Sequence, residues 1–264
     1  MKYFWTRLLK FRGFRTRILA HIKADYFHEL NHSIPLNGGY WASLLENDSY
    51  DSFSEIFIQQ EYKTFLPDGD ITKVLDIGAH YGYFSLWLQA QKPSVKLYST
   101  LVEPSSKCRK SLMHLVANQI LENRFVFLDS AVGSTSKSTI EFFDRPHMGG
   151  SIFPTDSTQP FENIITLKAS DILESMAPPY DLIKCDIEGA EWESLTGYSK
   201  VISESRYLLL EWHSWHSGGN GYQQIKDKIE DIDFRILKTS KSTKAVGRKG
   251  KVGLVLAENQ NFLD

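Results

Sequence analysis

From Lys73 onward, short apolar runs alternate with helix-forming stretches, and no other feature of the sequence restricts the fold as strongly. The apolar runs are KVLDIGA, KLYSTLVEP, FVFLDSAVG, DLIKCDIEG and RYLLLEWH. Runs of this length that end at glycine or proline are typical of buried parallel strands. Alternating β and α units joined by right-handed crossovers form a mostly parallel sheet with helices on both faces. The sequence therefore predicts a doubly wound α/β domain.

The flanking segments complete this prediction. FRILKTS and VGLVLAEN, joined by a lysine-rich turn, predict a C-terminal antiparallel hairpin at the sheet edge. The segment at about 134–170 interrupts the alternation, and we expect it to add strands near the mouth of the ligand site. We predict a mostly parallel seven-stranded sheet within residues 70–264, preceded by a basic, helical extension at residues 1–69. In that extension, SFSEIFIQQEYKTFL predicts a helix that covers the entrance of the main domain.

The first 23 residues are strongly basic, with no acidic residue before Asp25. They form either an amphipathic helix on an anionic membrane surface or an arm packed on the domain or on a partner subunit. Gly13 and Arg15 interrupt the apolar stripe and favour the packed arm. No apolar stretch is long enough to span a bilayer, and two cysteines do not indicate a disulfide framework. We expect a cytoplasmic location, with peripheral contact at the inner membrane face as the alternative.

The first strand ends in a turn bracketed by Gly78 and Gly82. A dinucleotide-binding fingerprint requires glycine at position 80, where the side chain of His80 would crowd a diphosphate. S-adenosylmethionine contains no phosphate, and a carboxylate such as Asp76 can bind its ammonium group. The turn therefore predicts S-adenosylmethionine as the cofactor, and an NAD-dependent oxidoreductase is the alternative enzyme.

Two further strand ends extend the predicted cofactor site. Glu103 and Pro104 follow the second strand, and an acid at this position accepts hydrogen bonds from ribose hydroxyls. Asp129, Ser130 and Ala131 end the third strand, where they can flank an adenine. The predicted cofactor-binding residues are Asp76, Gly78, Ala79, His80, Tyr81, Gly82, Phe84, Glu103, Pro104, Asp129, Ser130 and Ala131.

Carboxylates gather at the ends of the fourth and fifth strands. Asp186 and Glu188 have the spacing of side chains on one side of a strand, and Glu191 follows at the start of a helix. The fifth strand ends with Glu211 and His213. Because a protein core does not bury such a cluster without a function for it, we predict a catalytic site here. The positive charge of Lys184 partly neutralises the carboxylates. The candidate catalytic residues are His213, Glu191, Asp186, Glu188 and Glu211.

Histidine is the predicted general base in this cluster. An imidazole titrates near neutral pH, and Glu191 or Glu211 could orient the ring of His213. The alternative is that His213 only caps its strand. The cluster also has enough oxygen ligands for Mg²⁺ or Ca²⁺, although its spacing does not require a metal.

The segments VLDIGAHYGYFS, LVEP, LDSAVG, LIKCDIEGAE and LLLEWH, in this order, resemble the FkbM-type methyltransferases. The resemblance covers roughly residues 70–215, and the block K-x-D-x-E-G-x-E at 184–191 is its most specific part. It implies a class I S-adenosylmethionine-dependent methyltransferase that acts on a hydroxyl of a sugar, glycan or natural product. His80 departs from the usual asparagine of the family, which leaves the role of this side chain open.

Two other classes of function fit the sequence less well. The formal net charge of −2 and the lack of an aromatic-basic groove motif argue against a nucleic-acid partner. A membrane-docked binding protein that kept the fold and lost turnover is opposed by the intact polar residues at the strand ends.

Overall fold

A computed structural model describes residues 32–262 apart from positions 47, 122, 134–135, 146–148, 155–157, 215–220 and 245–249. The basic segment at residues 1–23 therefore lies outside the described residues. The strands are β1 (His32–Pro35), β2 (Trp41–Leu44), β3 (Lys73–Ile77), β4 (Tyr98–Val102), β5 (Phe125–Leu128), β6 (Thr139–Phe142), β7 (Glu162–Ile165), β8 (Tyr180–Cys185), β9 (Ser205–His213), β10 (Phe234–Thr239), β11 (Thr243–Lys244) and β12 (Lys251–Asn259).

The helices lie between these strands. The α-helices are α1 (Ser49–Phe53), α2 (Tyr83–Gln91), α3 (Ser106–Val116), α4 (Ala169–Ser175), α5 (Glu191–Gly197), α6 (Ser199–Ile202) and α7 (Gly221–Asp231). A π-helix (Ser54–Gln59) and a 3₁₀-helix (Glu61–Phe65) follow α1, and shorter 3₁₀ turns lie at Asn37–Gly39, Gln119–Leu121 and Gln260–Phe262. None of the described helices is long and apolar enough to cross a bilayer.

The central sheet contains the predicted seven strands, in the order β5-β4-β3-β8-β9-β12-β10, and the short β11 as an eighth. The first five are parallel to one another, whereas β12 pairs antiparallel with both β9 and β10. The predicted C-terminal hairpin is confirmed, with β10 at the edge and β12 inside the sheet; the two-residue β11 also pairs with β12. The strand order reverses beside β3, which is where open α/β sheets bind ligands.

Successive residues of the strands face opposite sides of the sheet, and each side is covered. Val74 belongs to a core on one face, together with Trp87 of α2. Leu75 belongs to a second core on the other face, together with Ile225 of α7. This alternation follows from the two-residue period of a strand and confirms the doubly wound arrangement.

The described part of the extension packs on the first of these cores. Phe53 stacks on Phe57 with ring centroids 4.8 Å apart and meets the ring of Tyr83 edge-on. The helix predicted within residues 52–66 is present as α1, the π-helix and the 3₁₀-helix, broken at Gln60, whose φ is 53°. The β1–β2 hairpin is not predicted by the sequence pattern, because its strands are short. This packing holds residues 49–65 against the carboxyl end of the sheet.

The segment at about 134–170 adds strands, as predicted. β6 and β7 pair antiparallel as a separate two-stranded sheet. Phe142 and Ile164 form a small core with Ala131, which lies just beyond β5. The insertion is therefore attached beside the carboxyl ends of β4 and β5.

Candidate active site

A cavity of about 800 Å³ opens at the carboxyl ends of the central strands. This volume is typical of sites that bind small molecules or cofactors. Because of the strand order, residues after β3, β4 and β5 line one side, the β4 side, and residues at the ends of β8 and β9 line the other, the β9 side. The extension and the insertion supply further walls through Tyr62 and Phe142. The predicted site residues that line the cavity are Gly78, Ala79, His80, Tyr81, Phe84, Glu103, Pro104, Ser130, Ala131, Asp186, Glu188, Glu211 and His213.

The turn after β3 requires glycine at its first position. Gly78 has φ of +78°, and a Cβ added there would lie 1.8 Å from the main-chain oxygen of Asp186. Only a residue without a side chain lets this turn pass so close to the chain that leaves β8. The absence of a side chain at Gly78 therefore allows the turn after β3 on one side of the cavity to pack directly against the chain after β8 on the other.

Backbone N–H groups of the same turn are already hydrogen-bonded within the protein. Gly78 and Ala79 both donate to the carbonyl oxygen of Val102, at 2.9 and 3.0 Å. The N–H of His80 donates to Glu103 Oε2 at 2.8 Å. A diphosphate is bound in α/β proteins by free N–H groups at this position. The turn therefore offers few free N–H groups to the diphosphate of a dinucleotide. This agrees with the prediction, made from the absence of glycine at position 80, that the turn does not bind a dinucleotide.

Glu103 is a buried carboxylate that faces the cavity. Its other oxygen accepts a hydrogen bond from the N–H of Ser105 at 2.9 Å. Burial raises its pKa to about 7, against the lowering effect of its two backbone hydrogen bonds. A carboxylate has about four acceptor sites, so Glu103 can still accept hydrogen bonds from ligand hydroxyls.

The backbone of His80 is hydrogen-bonded to this carboxylate, and its ring nitrogen Nδ1 could form a hydrogen bond with a ligand. Its ring packs against Tyr81 with centroids 4.1 Å apart, and its Nδ1 is buried with no hydrogen-bond partner among the described residues. Burial lowers the pKa of His80 to about 3, so the ring is neutral at physiological pH. Buried polar atoms normally have partners. The β4 side therefore fits a ligand that hydrogen-bonds, such as a nucleoside.

Asp76 does not line the cavity, although it is a predicted cofactor ligand. It is fully buried behind the turn, where it accepts a hydrogen bond from Ser85 Oγ at 2.8 Å and lies 3.6 Å from Lys184 Nζ. Lys184 also donates to the oxygen of Gly78 at 2.6 Å and lies 3.5 Å from Asp186. The structure thus places a lysine, rather than Asp76, at the cavity surface, because the side chain of Asp76 points into the layer between β3 and α2.

Gly82 and Asp129 also lie outside the lining. Gly82 has φ of +75°, and an added Cβ would lie 2.5 Å from Leu115, so it allows α3 to approach the turn. Asp129 lies 2.6 Å from Arg109 of α3 in a partly exposed ion pair. Both residues support the walls of the site without reaching its interior.

The β9 side carries the predicted carboxylates, but Asp186 and Glu188 lie on a turn and not on a strand as expected. β8 ends at Cys185, and Glu188 has φ of 55°, so Asp186 and Glu188 do not alternate along a strand. The turn nevertheless directs both side chains to the cavity. Glu211 and His213 are on β9 itself and share one side of it, as predicted.

His213 and Glu191 form a buried pair beneath this side of the cavity. Nδ1 of His213 lies 2.9 Å from Oε1 of Glu191, which also accepts a hydrogen bond from the N–H of Gly189 at 3.0 Å. Because the carboxylate accepts, Nδ1 carries the proton. Nε2 lies 4.0 Å from Glu188 Oε2, at the end of the ring that lines the cavity. Glu191, a predicted catalytic residue, is therefore placed to orient His213 and does not line the cavity itself.

The charges around His213 control its protonation. Burial lowers the pKa of His213, but the adjacent Glu191 and the charges of Glu188 and Glu211 outweigh burial and raise the pKa to about 10. Burial and the charge of Asp186 raise the pKa of Glu211 well above its ordinary value. The cluster therefore holds protons at neutral pH that it can release or exchange.

Tyr62 is a site residue that the sequence analysis did not identify. This buried side chain of the extension donates a hydrogen bond to Asp186 Oδ2 at 3.0 Å and lies 3.5 Å from Glu211 Oε2. Glu55 and Glu61, from the same segment, also line the cavity. The helix predicted over the entrance of the main domain is the sequence feature that points to this segment.

One part of the cluster has the spacing of a metal site. Oxygens of Asp186 and Glu211 and a ring nitrogen of His213 lie within 4.8 Å of one another. A single divalent cation could be held by these three ligands. Lys184 already supplies a positive charge 3.5 Å from Asp186, and Tyr62 donates to the same oxygen.

The strand order, the antiparallel hairpin and the cavity beside β3 together define a class I methyltransferase-type α/β fold. A sequence model described as the methyltransferase FkbM domain matches residues 76–236, which is more than half of the chain. The chain belongs to the FkbM methyltransferase family. The resemblance expected from the strand-end motifs is thereby confirmed.

Individual relatives are distant. Methyltransferase sdnD of Sordaria araneosa is 25% identical over 235 residues, covering 73% of this chain and 89% of that protein. The structure of methyltransferase FkbM from Methylobacillus flagellatus is 20% identical, covers 73% of this chain and 45% of that one, and has a TM-score of 0.49. Magnesium protoporphyrin IX methyltransferase (ChlM) from Synechocystis with bound SAM is 14% identical, covers 81% of each chain and has a TM-score of 0.45.

Proposed function

We propose that this chain transfers a methyl group from S-adenosylmethionine to a hydroxyl of a sugar, glycan or natural-product acceptor. The observation that carries the proposal is the His213–Glu191 pair, whose histidine lines the same cavity as the turn after β3. The turn leaves few N–H groups for a diphosphate, and the buried carboxyl group of Glu103 on the same cavity supports the assignment of this residue to ribose hydroxyls. In its deprotonated form, which the pKa of about 10 places in the alkaline range, the imidazole of His213 can accept a proton from a hydroxyl.

When bound, S-adenosylmethionine supplies an electrophilic methyl group on a sulfonium. The protein must align the acceptor oxygen with that group and accept the hydroxyl proton as the new O–C bond forms and the methyl–sulfur bond breaks, which would leave S-adenosylhomocysteine. Alignment can contribute up to about 7–11 kcal/mol, and a general base about 10²–10⁴-fold in rate. We assign Nε2 of His213 as the atom that accepts the hydroxyl proton. We assign Asp186 and Glu188 to hydrogen bonds with acceptor hydroxyls.

The cofactor is tested by calorimetric titration with S-adenosylmethionine, S-adenosylhomocysteine and NAD. We expect the first two to bind and NAD not to bind. Glu103→Gln removes a charged acceptor, worth about 1.5–3 kcal/mol, and is expected to weaken both ligands about 10- to 100-fold. The matched control is Glu174→Gln on the exposed surface of α4, which should bind like the wild type. Tight NAD binding without S-adenosylhomocysteine binding would favour the oxidoreductase instead.

The base is tested by the pH dependence of kcat/KM, measured with any acceptor that the wild type methylates. Because the base works deprotonated and His213 has a pKa near 10, we expect kcat/KM to rise with pH through the alkaline range. Glu191→Gln removes the carboxylate that raises this pKa. The rising limb should therefore move to lower pH, and the plateau should fall because the ring loses its orienting partner.

Glu193→Gln, on the same helix, is the control for this experiment. Its profile should match the wild type. An unchanged profile in Glu191→Gln would show that the titration of His213 does not set the rate.

A divalent cation is the second candidate for the β9 side, on the strength of the 4.8 Å spacing of Asp186, Glu211 and His213. We favour proton transfer without a metal because Lys184 and Tyr62 already balance Asp186. Activity that EDTA abolishes and Mg²⁺ restores would assign these three residues to a metal instead.

A further inference from the structure

The β9 side of the cavity carries carboxylates from two separate parts of the chain. Glu55 comes from the extension, and Glu211 and Asp186 come from the central sheet. Burial, together with the charges of Glu61, Asp186, Asp51 and Glu188, raises the pKa of Glu55 to about 8. All three carboxyl groups line the same cavity, so a ligand bound on this side is exposed to them together.

Positive groups on this side already have partners within the protein. Lys184 is hydrogen-bonded to the oxygen of Gly78 and lies between Asp76 and Asp186. His213 is hydrogen-bonded to Glu191. Lys244 of β11 also lines the cavity, but it is exposed to solvent. A ligand that enters this side therefore meets carboxyl groups, of which Asp186 and Glu211 have oxygens within 4.8 Å of each other and Glu55 is half-buried in the wall of the same cavity.

We propose that the methyl acceptor carries an ammonium group close to its reacting hydroxyl, as amino sugars and aminocyclitols do. The inference rests on the proposed function and specifies its acceptor class. Burial and neighbouring negative charge raise the pKa of Glu55 and of Glu211, and a cation stabilises their ionised forms. A phosphate or carboxylate on the acceptor would instead be repelled by Asp186, whose pKa is lowered by Lys184 and which is therefore ionised. Glu55 lies outside the family match at residues 76–236, so this selectivity is supplied by the extension.

Binding of a cation to the β9 side also changes the protonation of Glu55. At pH 7 a carboxyl group with a pKa near 8 is mostly protonated. An ammonium group nearby favours the ionised form, so Glu55 gives up its proton to the solvent as the acceptor binds. A neutral polyol would bind without that release.

The test uses the full chain saturated with S-adenosylhomocysteine and four probes on one scaffold: glucosamine, glucose, N-acetylglucosamine and glucuronate. Calorimetry near pH 7, in buffers of different ionisation enthalpy, gives the affinity and the number of protons released. We expect glucosamine to bind about tenfold or more tightly than glucose or N-acetylglucosamine, glucuronate to bind most weakly, and protons to be released only with glucosamine.

Glu55→Gln should remove most of the preference for glucosamine and the proton release, and Glu174→Gln should keep both. Equal binding of glucosamine and glucose, or binding of neither, overturns the inference. It is also overturned if Glu55→Gln weakens S-adenosylmethionine and leaves the preference for glucosamine intact, since Glu55 would then serve the cofactor. Failure to bind S-adenosylhomocysteine in the first titration would instead overturn the proposed function and this inference with it.

Discussion

Gly78→Ala is expected to lower the free energy of unfolding by about 3 kcal/mol or more and to abolish S-adenosylhomocysteine binding. The left-handed φ of +78° costs an alanine about 1–2 kcal/mol. The added Cβ would also lie 1.8 Å from the main-chain oxygen of Asp186, a contact that no rotamer change can relieve. β3 and the end of β8 must then separate, and both sides of the cavity move.

Gly39→Ala is the matched control, because Gly39 has nearly the same φ, +80°, with no atom within 4 Å of the added Cβ. It should show only the conformational cost, about 1–2 kcal/mol, and should bind the ligand normally. Urea unfolding followed by tryptophan fluorescence gives the two free energies. Equal losses in the two variants would mean that the turn after β3 can move away from β8 at little cost.

His213→Gln is expected to lower kcat by about 10²–10⁴-fold, the usual contribution of a general base, while S-adenosylhomocysteine still binds. The reason is the geometry of the ring, with Nδ1 held 2.9 Å from Glu191 and the opposite nitrogen at the cavity. Glutamine can still donate a hydrogen bond to Glu191 and fill much of the space, so loss of folding is not the expected cause. The rate is measured as transfer of a tritiated methyl group to an acceptor that the wild type uses.

The matched control is His114→Gln, which changes an exposed histidine of α3. Its turnover should equal that of the wild type. Near-normal turnover in His213→Gln would remove this histidine from the mechanism and leave Glu211 or Asp186 as the proton acceptor.

Several features of the site could be predicted because they depend on neighbours in the sequence. The glycine turn at Gly78, the acid at Glu103 and the pair Glu211 and His213 all follow apolar runs that had to be strands. The carboxyl ends of parallel strands meet at one edge of a sheet, so these residues had to converge. The extra strands within residues 134–170 followed from the interruption of the same pattern, whereas the order of strands in the sheet appears only in the structure.

Other features depended on where a turn directs its side chains. The spacing of Asp186 and Glu188 suggested a continuing strand, but the positive φ of Glu188 ends that pattern. Asp76 follows the pattern of a ligand residue and yet points into the layer beneath the turn, where it balances Lys184. A one-residue change in the end of a strand reverses the side to which a residue points, and the sequence pattern locates such ends poorly.

The sequence by itself determined the α/β alternation, the glycine turn and the family, because periodicity and turn chemistry act over a few residues. The tertiary structure alone decided that Tyr62 donates to Asp186, 124 positions away, and that Glu55 faces the same cavity. It also decided that Glu191 lies beneath His213 rather than at the surface of the cavity. Such contacts arise from packing between distant segments, which depends on the shape and burial of whole elements rather than on local spacing.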